Sequence, residues 1–169
     1  MTFEVVPALV AGLAATLVMS AMMAMAASAG MTRMPPMPLL MGSMMTGEPR
    51  RAVRLGATIH YLVMGTIVFG LLYAALFTWF DSTSVLTGVA IGAVHGLVVG
   101  GMAMPMMPAM HPRMSASSDG PPADTSTGSV VLSAPGFFAS NWGAMTPVGL
   151  IAGHVVYGLI AVLIYGALV

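Results

Sequence analysis

The feature that most constrains this chain is a set of four long apolar stretches without a charged residue. They cover residues 5–32, 55–80, 82–105 and 146–169. Each is close to or above the roughly 20 residues that a helix needs to cross a bilayer. With 58% hydrophobic and only 6% charged residues, the chain has too little polar surface for a soluble globule. The sequence therefore predicts an all-α integral membrane four-helix bundle, with helices over about residues 5–29, 55–80, 84–105 and 146–168.

Composition excludes several classes of function. The absence of cysteine excludes thiolate metal sites, iron–sulfur clusters, disulfides and cysteine nucleophiles. A metal ion would have to be held by His, Met or oxygen ligands. Five basic residues balance five acidic ones, so no basic patch is expected and nucleic acid is not an expected partner. No Asp or Glu lies inside a stretch and no Walker, dinucleotide or zincin pattern occurs, which favours a protein that is not an enzyme.

The arginines predict how the chain crosses the membrane. All of them lie on or beside the first and third connections: Arg33, Arg50, Arg51, Arg54 and Arg113. Because basic residues favour the cytoplasmic side, we expect these connections in the cytoplasm and both termini outside a cell (inner) membrane. The lipid bilayer is then the first partner of the chain.

The third connection has two predicted parts. Pro105, Pro108 and Pro112 are expected to end the third helix, since proline interrupts the helical hydrogen-bond ladder. His111, between the last two, is predicted at the level of the headgroups, with no part in a site. Residues 115–129, SASSDGPPADTSTGS, have the composition of a flexible cytoplasmic linker that would tolerate deletion.

The chain also aligns with itself. Residues 11–19, AGLAATLVM, match residues 87–95, TGVAIGAVH, at an offset of 76, and His60 lies over His154 at an offset of 94. These matches predict two tandem helix-hairpin repeats related by an axis along the membrane normal. Under this hypothesis Met19 corresponds to His95 and His60 to His154, at similar depths.

The candidate site is centred on His95, which lies beside glycines spaced by four. Gly88, Gly92, Gly96 and Gly100 form one smooth helix face, where another helix or a flat ligand can approach closely. An ionisable side chain inside an apolar helix is costly, which makes it a candidate functional residue. The same pattern is also typical of plain helix packing with histidine as interhelical hydrogen-bond glue.

Two kinds of cofactor fit these residues, and the absence of any cofactor is a third alternative. His60 and His154, with His95, are candidate ligands of a b-type haem, and Gly92 and Gly96 would supply its slot. Alternatively, His60, His95, His154 and Met19 would hold copper or another metal ion. The remaining methionines, 19 in all, are interpreted mainly as adaptable apolar filler.

These candidates give two hypotheses from different classes. In the first, the protein binds a haem or metal through intramembrane histidines, for electron transfer or metal handling. In the second, it is a non-catalytic accessory subunit whose glycine faces pack on a larger respiratory, photosynthetic or transport complex, or on another copy.

The C-terminal stretch carries a resemblance. The segment PGFFASNWGAMTPVGLIAGHVVYGLIAVLIYGAL contains Met145-Thr146-Pro147, then Gly153-His154, then Gly158. It resembles stretches of small uncharacterised four-helix membrane proteins of prokaryotes. The resemblance implies the same four-helix architecture and carries no activity over to this chain.

Overall fold

The computed structural model describes all 169 residues, and most of them lie in helices. The helices are α1 (Val5–Ser28), α2 (Met37–Ser43), α3 (Pro49–Trp79), α4 (Val85–Met110) and α5 (Thr146–Leu168). Two short antiparallel strands, β1 (Ala123–Asp124) and β2 (Val131–Leu132), pair between α4 and α5, and a 3₁₀ turn covers Phe137–Trp142. Helices α1, α3, α4 and α5 are long and apolar enough to cross a membrane. The predicted all-α class is confirmed.

Helix α3 begins at Pro49, before the apolar stretch that starts at residue 55, because a local cap supports its first turn. The carboxylate of Glu48 accepts hydrogen bonds from the backbone N–H groups of Arg50 and Arg51, at 2.9 and 2.7 Å. Proline suits the first helical position, where its missing N–H has no intrahelical partner to lose. The arginine-bearing turn is therefore part of the helix.

The middle of α3 is a π-helix. It covers Thr58–Phe69 and includes His60 and Gly65. The hydroxyl of Thr66 donates to the carbonyl of Tyr61, five residues earlier, at 2.7 Å. Such wide turns are rare and occur frequently at functional sites.

Helix α4 continues past Pro105 to Met110, so the prediction that it ends at Pro105 is wrong. A second π-helical stretch, Val99–Ala103, comes just before Pro105. The regular ladder is already interrupted there, so the missing N–H of proline costs little. The helix ends at His111, which is extended, as expected for a residue that precedes proline.

The chain divides into two compact units, each with its own core. The first comprises Met1–Met23, Tyr61–Gly96 and Ile151–Val169. Small α1 residues there pack against larger side chains of the other helices, and the buried set is Ala8, Ala11, Ala15, Tyr73, Ala74, Phe77, Tyr157, Ala161, Val162 and Tyr165. The hydroxyl of Tyr165 accepts from the N–H of Glu4 at 3.1 Å, which joins the end of α5 to the start of α1. The Met1 ammonium donates to the carboxylate of Asp81, which lies in the turn after α3, at 2.6 Å. This contact lowers the pKa of the Asp81 carboxyl.

The second unit comprises Ala24–His60 and Leu97–Leu150. Its core consists of Leu40, Ala52, Met104, Met114, Val130, Leu132, Ala139, Trp142 and Leu150. Helices α2 and α3 meet there at two glycines. A side chain on Gly42 or on Gly56 would collide with the backbone of the opposite helix. This close contact keeps the Pro-rich first connection folded.

Residues 115–129, predicted as a flexible linker, are mostly exposed and contain one short strand. Strand β1 lies inside this segment and pairs with β2, where Leu132 is fully buried. The N–H of Val130 donates to the carbonyl of Gly47 at 2.8 Å, and the N–H of Ser115 donates to that of Leu132, also at 2.8 Å. The N–H of Ser126 donates to the Asp124 carboxylate and lowers the pKa of that carboxyl. Backbone pairing orders a segment whose own composition offers little apolar surface.

Candidate functional site

The centre of the candidate site is a pair of histidines in the first unit. His95 on α4 and His154 on α5 have ring centroids 4.5 Å apart, at an interplanar angle of 74°. The rings meet edge to face. His154 is 8% exposed. The structure thus brings together two of the three histidines predicted as ligands.

Glycines let α4 and α5 approach closely enough for this contact. A Cβ on Gly92 would lie 2.9 Å from Cα of Val155, and one on Gly96 would lie 3.1 Å from Cα of Ile151. The first distance is shorter than Cβ contacts in proteins, and the second is tighter than most of them, so a side chain at either position would press on α5. The glycine face is therefore covered by the backbone of α5. The glycine spacing predicted either another helix or a flat ligand on this face, and the structure shows a helix, α5.

A tyrosine fixes the orientation of His95. The hydroxyl of Tyr73, on α3, lies 3.0 Å from Nδ1 of His95, and Tyr73 is only 2% exposed. The ring of Phe69, one turn earlier, packs on the imidazole at a centroid distance of 4.3 Å. The opposite nitrogen, Nε2 of His95, is buried and has no hydrogen-bond partner. The imidazole is thus held on one side and unsatisfied on the other.

The position of the proton on His95 decides what Nε2 offers. If Tyr73 donates to Nδ1, then Nε2 carries the proton and is a buried donor without an acceptor. If Nδ1–H donates to the tyrosine oxygen, then Nε2 presents a lone pair instead. The first alternative leaves the Nε2–H of His95 unsatisfied, and the second leaves both the Nε2 lone pair and the O–H of Tyr73 unsatisfied, which is unfavourable without a ligand. A ligand that accepts the Nε2 lone pair would relieve the second arrangement.

A second tyrosine extends the polar part of this core. The hydroxyl of Tyr157, on α5, donates to the carbonyl of Gly65 at 2.9 Å, inside the π-helical stretch of α3. Its ring packs edge to face on Tyr73, at a centroid distance of 4.9 Å. Sequence reasoning missed Phe69, Tyr73 and Tyr157, because an aromatic residue in an apolar helix gives no signal of its own. Tyrosine within a predicted span was the available clue, since its buried hydroxyl needs a partner.

The other predicted ligands have different positions. Met19 is partly buried against the first core, and its Cε lies 3.4 Å from the point where a Cβ of Gly153 would be. His60 is half-buried in the π-helical stretch and belongs to the second unit. No group of three or more His, Cys, Asp or Glu side chains is arranged to hold a metal ion. A site at the histidine pair therefore has two imidazoles as its nitrogen ligands.

A haem does not fit between His95 and His154. Two axial imidazoles would have to leave room for the porphyrin plane between them, and rings in edge contact at 4.5 Å leave none. Gly92 and Gly96, the predicted slot, are covered by α5. The axial pair of His60 and His154 stays a prediction of the sequence.

His111, predicted at the level of the headgroups with no part in a site, is buried in the second unit. It is 4% exposed, and its Nδ1 accepts from the N–H of Arg113 at 3.2 Å. Nε2 therefore carries the proton and donates to the carbonyl of Leu40 at 3.0 Å. The guanidinium of Arg113 donates to the carbonyl of Ser43 at 2.7 Å. His111 thus joins the end of α4 to α2, and its nitrogens are both occupied.

Fold and site together define an all-α chain with four helices that could span a membrane and a buried histidine pair between two of them. Residues 3–117 match a family of unknown function, DUF6789, and the chain belongs to that family. The matched range includes His95 and ends before α5, which carries His154. No curated protein and no solved structure matches the sequence.

Proposed function

We propose that this protein is a multi-pass membrane protein that binds a transition-metal ion at His95 and His154, for metal handling or electron transfer. The single observation that carries the proposal is the buried Nε2 of His95, which has no hydrogen-bond partner although its ring lies against a second imidazole. Neutral imidazole is a common ligand of zinc, copper, iron and nickel. A metal ion would satisfy the nitrogen that the protein leaves bare.

The contact with Tyr73 supports the same function. A histidine that ligates a metal generally donates its other N–H to an oxygen, which fixes the tautomer and turns the free lone pair toward the metal. The hydroxyl of Tyr73 lies 3.0 Å from Nδ1 and is suited to that role. With Phe69 packed on the ring, the imidazole would be oriented before the ion arrives.

Membrane insertion, the second part of the proposal, is supported by length, composition and charge. Four helices meet the requirements for a span, and all five arginines fall on or beside two connections that an even number of crossings puts on one side. We place those connections in the cytoplasm and both termini outside.

Internal contacts of the first unit support the tandem repeat. Gly12 of α1 faces Gly65 of α3: a Cβ on Gly12 would lie 2.6 Å from the carbonyl oxygen of Gly65. Gly88 of α4 faces Gly158 of α5 in the same way, also at 2.6 Å from the carbonyl oxygen. At the offset of 76, Gly12 corresponds to Gly88. The two helices of each predicted repeat, α1 with α3 and α4 with α5, are thus in contact through a pair of glycines.

The alternative of an accessory subunit receives less support. That hypothesis needs glycine faces that are open to a partner, but Gly88, Gly92 and Gly96 are buried against α5. The glycines that would attract a neighbouring helix are used inside the chain.

The test is the metal content of the purified protein. Protein from cells supplied with copper, zinc and iron is isolated in mild detergent and analysed for metals. We expect a stoichiometric ion in the wild type and its loss in both His95→Gln and His154→Gln. His60→Gln reports whether the third predicted ligand contributes, and size-exclusion chromatography with circular dichroism verifies that each variant is folded.

Two results would overturn the proposal. One is a wild-type protein that is folded yet free of metal under all of these supplies. The other is a Soret band that disappears with His60→Gln or His154→Gln, which would instead support the haem predicted from the sequence.

A further inference from the structure

We infer that the ion at the histidine pair is monovalent copper, with the thioether of Met19 as an additional ligand; this inference rests on the proposed metal site. Three properties of the first unit support copper: its lack of compensating charge, its small number of nitrogen ligands, and the two methionines that lie against Gly153 of α5.

Charge is the first property. The first unit contains two carboxylates, Glu4 and Asp81, and both lie at the ends of helices rather than at the histidines. Asp81 already pairs with an ammonium group. A cation at His95 and His154 would therefore be surrounded by neutral ligands. Because the cost of burying an ion grows with the square of its charge, a divalent ion pays about four times the desolvation penalty of a monovalent one.

Ligand number is the second property. Structural zinc is almost always four-coordinate and uses Cys, His or carboxylate ligands. The histidine pair has no third side chain of these types. Monovalent copper is stable with two or three ligands and accepts soft donors, so two imidazoles are a sufficient base for it.

The methionines are the third property. Gly153 precedes His154 on α5, and the position that a Cβ would take there lies 3.4 Å from Cε of Met19 and 3.5 Å from Cε of Met22. Both methionines come from α1 and are partly buried. The ends of both methionine side chains thus lie close to α5 at the residue that precedes the histidine. Thioether sulfur is a soft ligand that selects monovalent copper over harder ions.

We choose Met19 over Met22 because its side chain also packs against the first core, where Tyr157 lies. Met19 is moreover the position that the predicted repeat aligns with His95. The long, unbranched methionine side chain can move its sulfur without moving the helix.

The experiment compares two ions on the intact protein in detergent. Under anaerobic, reducing conditions, Cu(I) is titrated in competition with a chromophoric Cu(I) chelator, and Zn(II) is titrated separately against a zinc dye. We expect stoichiometric Cu(I) binding, with Zn(II) bound about 100-fold more weakly because two of its usual four ligands are missing. Extended X-ray absorption at the copper edge should show nitrogen and sulfur neighbours.

Met19→Leu tests the thioether without a change of volume. The substitution should weaken Cu(I) binding about tenfold or more and remove the sulfur neighbour from the spectrum. Met25→Leu is the control, since Met25 lies on the same helix and is 63% exposed. Circular dichroism confirms that both variants are folded.

The outcomes separate this inference from the proposed function. If Zn(II) binds as tightly as Cu(I) and is lost with His95→Gln, the metal site stands and the choice of copper is wrong. If Met19→Leu changes neither affinity nor spectrum, the thioether ligand is wrong. If neither ion binds the folded wild type, the proposed function itself fails.

Discussion

Tyr73 determines, through one hydrogen bond, which nitrogen of His95 is available to a ligand. Replacing it with Phe keeps the ring and removes only the hydroxyl, 3.0 Å from Nδ1. Loss of such an outer partner typically lowers metal affinity by about 10- to 100-fold, and we expect this range for Tyr73→Phe. Competition titration with the chelator measures the effect.

Tyr165→Phe is the matched control for Tyr73→Phe. Tyr165 is also a fully buried tyrosine of the first unit, but its hydroxyl bonds to the backbone of Thr2 and Glu4, away from the histidines. Its loss should leave metal affinity unchanged. Equal effects of the two substitutions would mean that Tyr73 acts through general packing and does not orient His95.

Single residues also mark the limit of sequence reasoning about the site. His95 and His154 were predicted because an ionisable group in an apolar helix is conspicuous. The hydrogen bond of His95 with Tyr73 was not predicted, since it depends on how α3 and α4 are rotated about their axes. His111 lies beside proline and arginine in the sequence, and its hydrogen bond to the carbonyl of Leu40, 71 residues away, gives no signal there.

At the scale of elements, the strand pair of the second unit makes the clearest prediction. Leu132 in β2 is fully buried, whereas its neighbour Val131 is 50% exposed. Leu132→Ala should therefore destabilise the protein by about 2–5 kcal/mol, as is usual for a buried leucine. Val131→Ala should stay within about 0.5 kcal/mol, since its side chain lies at the surface.

Thermal unfolding in detergent, followed by circular dichroism, measures both variants. If Leu132→Ala and Val131→Ala proved equally mild, the pairing of β2 with residues 115–129 would contribute little to stability. That result would favour the flexible linker predicted from composition. Composition predicts a flexible linker, whereas the structure shows hydrogen bonds to this part of the chain, and the difference has a physical origin. Composition counts the apolar surface that a segment carries, and it cannot count hydrogen bonds to Gly47 or β2 that other segments supply.

The ends of the helices show the same division between local and distant causes. Helix α5 begins at Thr146-Pro147, where threonine and proline are local signals of a helix start. The end of α4 does not agree with the prediction. Pro105 normally stops a helix, but the π-helical stretch Val99–Ala103 has already changed the ladder where the proline enters. Such stretches give no recognised signal in a single sequence.

At the scale of the whole molecule, the orientation in the membrane can be tested directly. The chain has no cysteine, so Ser82→Cys and Ser117→Cys can be labelled without background. Ser82 lies in the connection between α3 and α4, which has no basic residue, and Ser117 lies in the connection that carries Arg113. We expect an impermeant thiol reagent to label the first in intact cells and the second only after the cells are opened.

The reverse labelling pattern would contradict the proposed orientation, and labelling of both positions in intact cells would mean that α4 does not cross the membrane. Bonds of the first unit agree with an even number of crossings. The hydroxyl of Tyr165, near the end of α5, lies next to the backbone of Glu4 at the start of α1. The start of α1 and the end of α5 are thus neighbours.

The π-helical stretch of α3 has a consequence for how the length of this chain can vary. A π turn holds more residues than an α turn, so removing one residue between Tyr61 and Phe69 would let the stretch relax into ordinary helix. The helix on either side would keep its orientation, and the hydroxyl of Tyr73 would stay beside His95. The wide turns thus let the chain gain or lose a residue here without changing the partner of the histidine. Related chains that keep the contact can therefore differ by one residue between these positions.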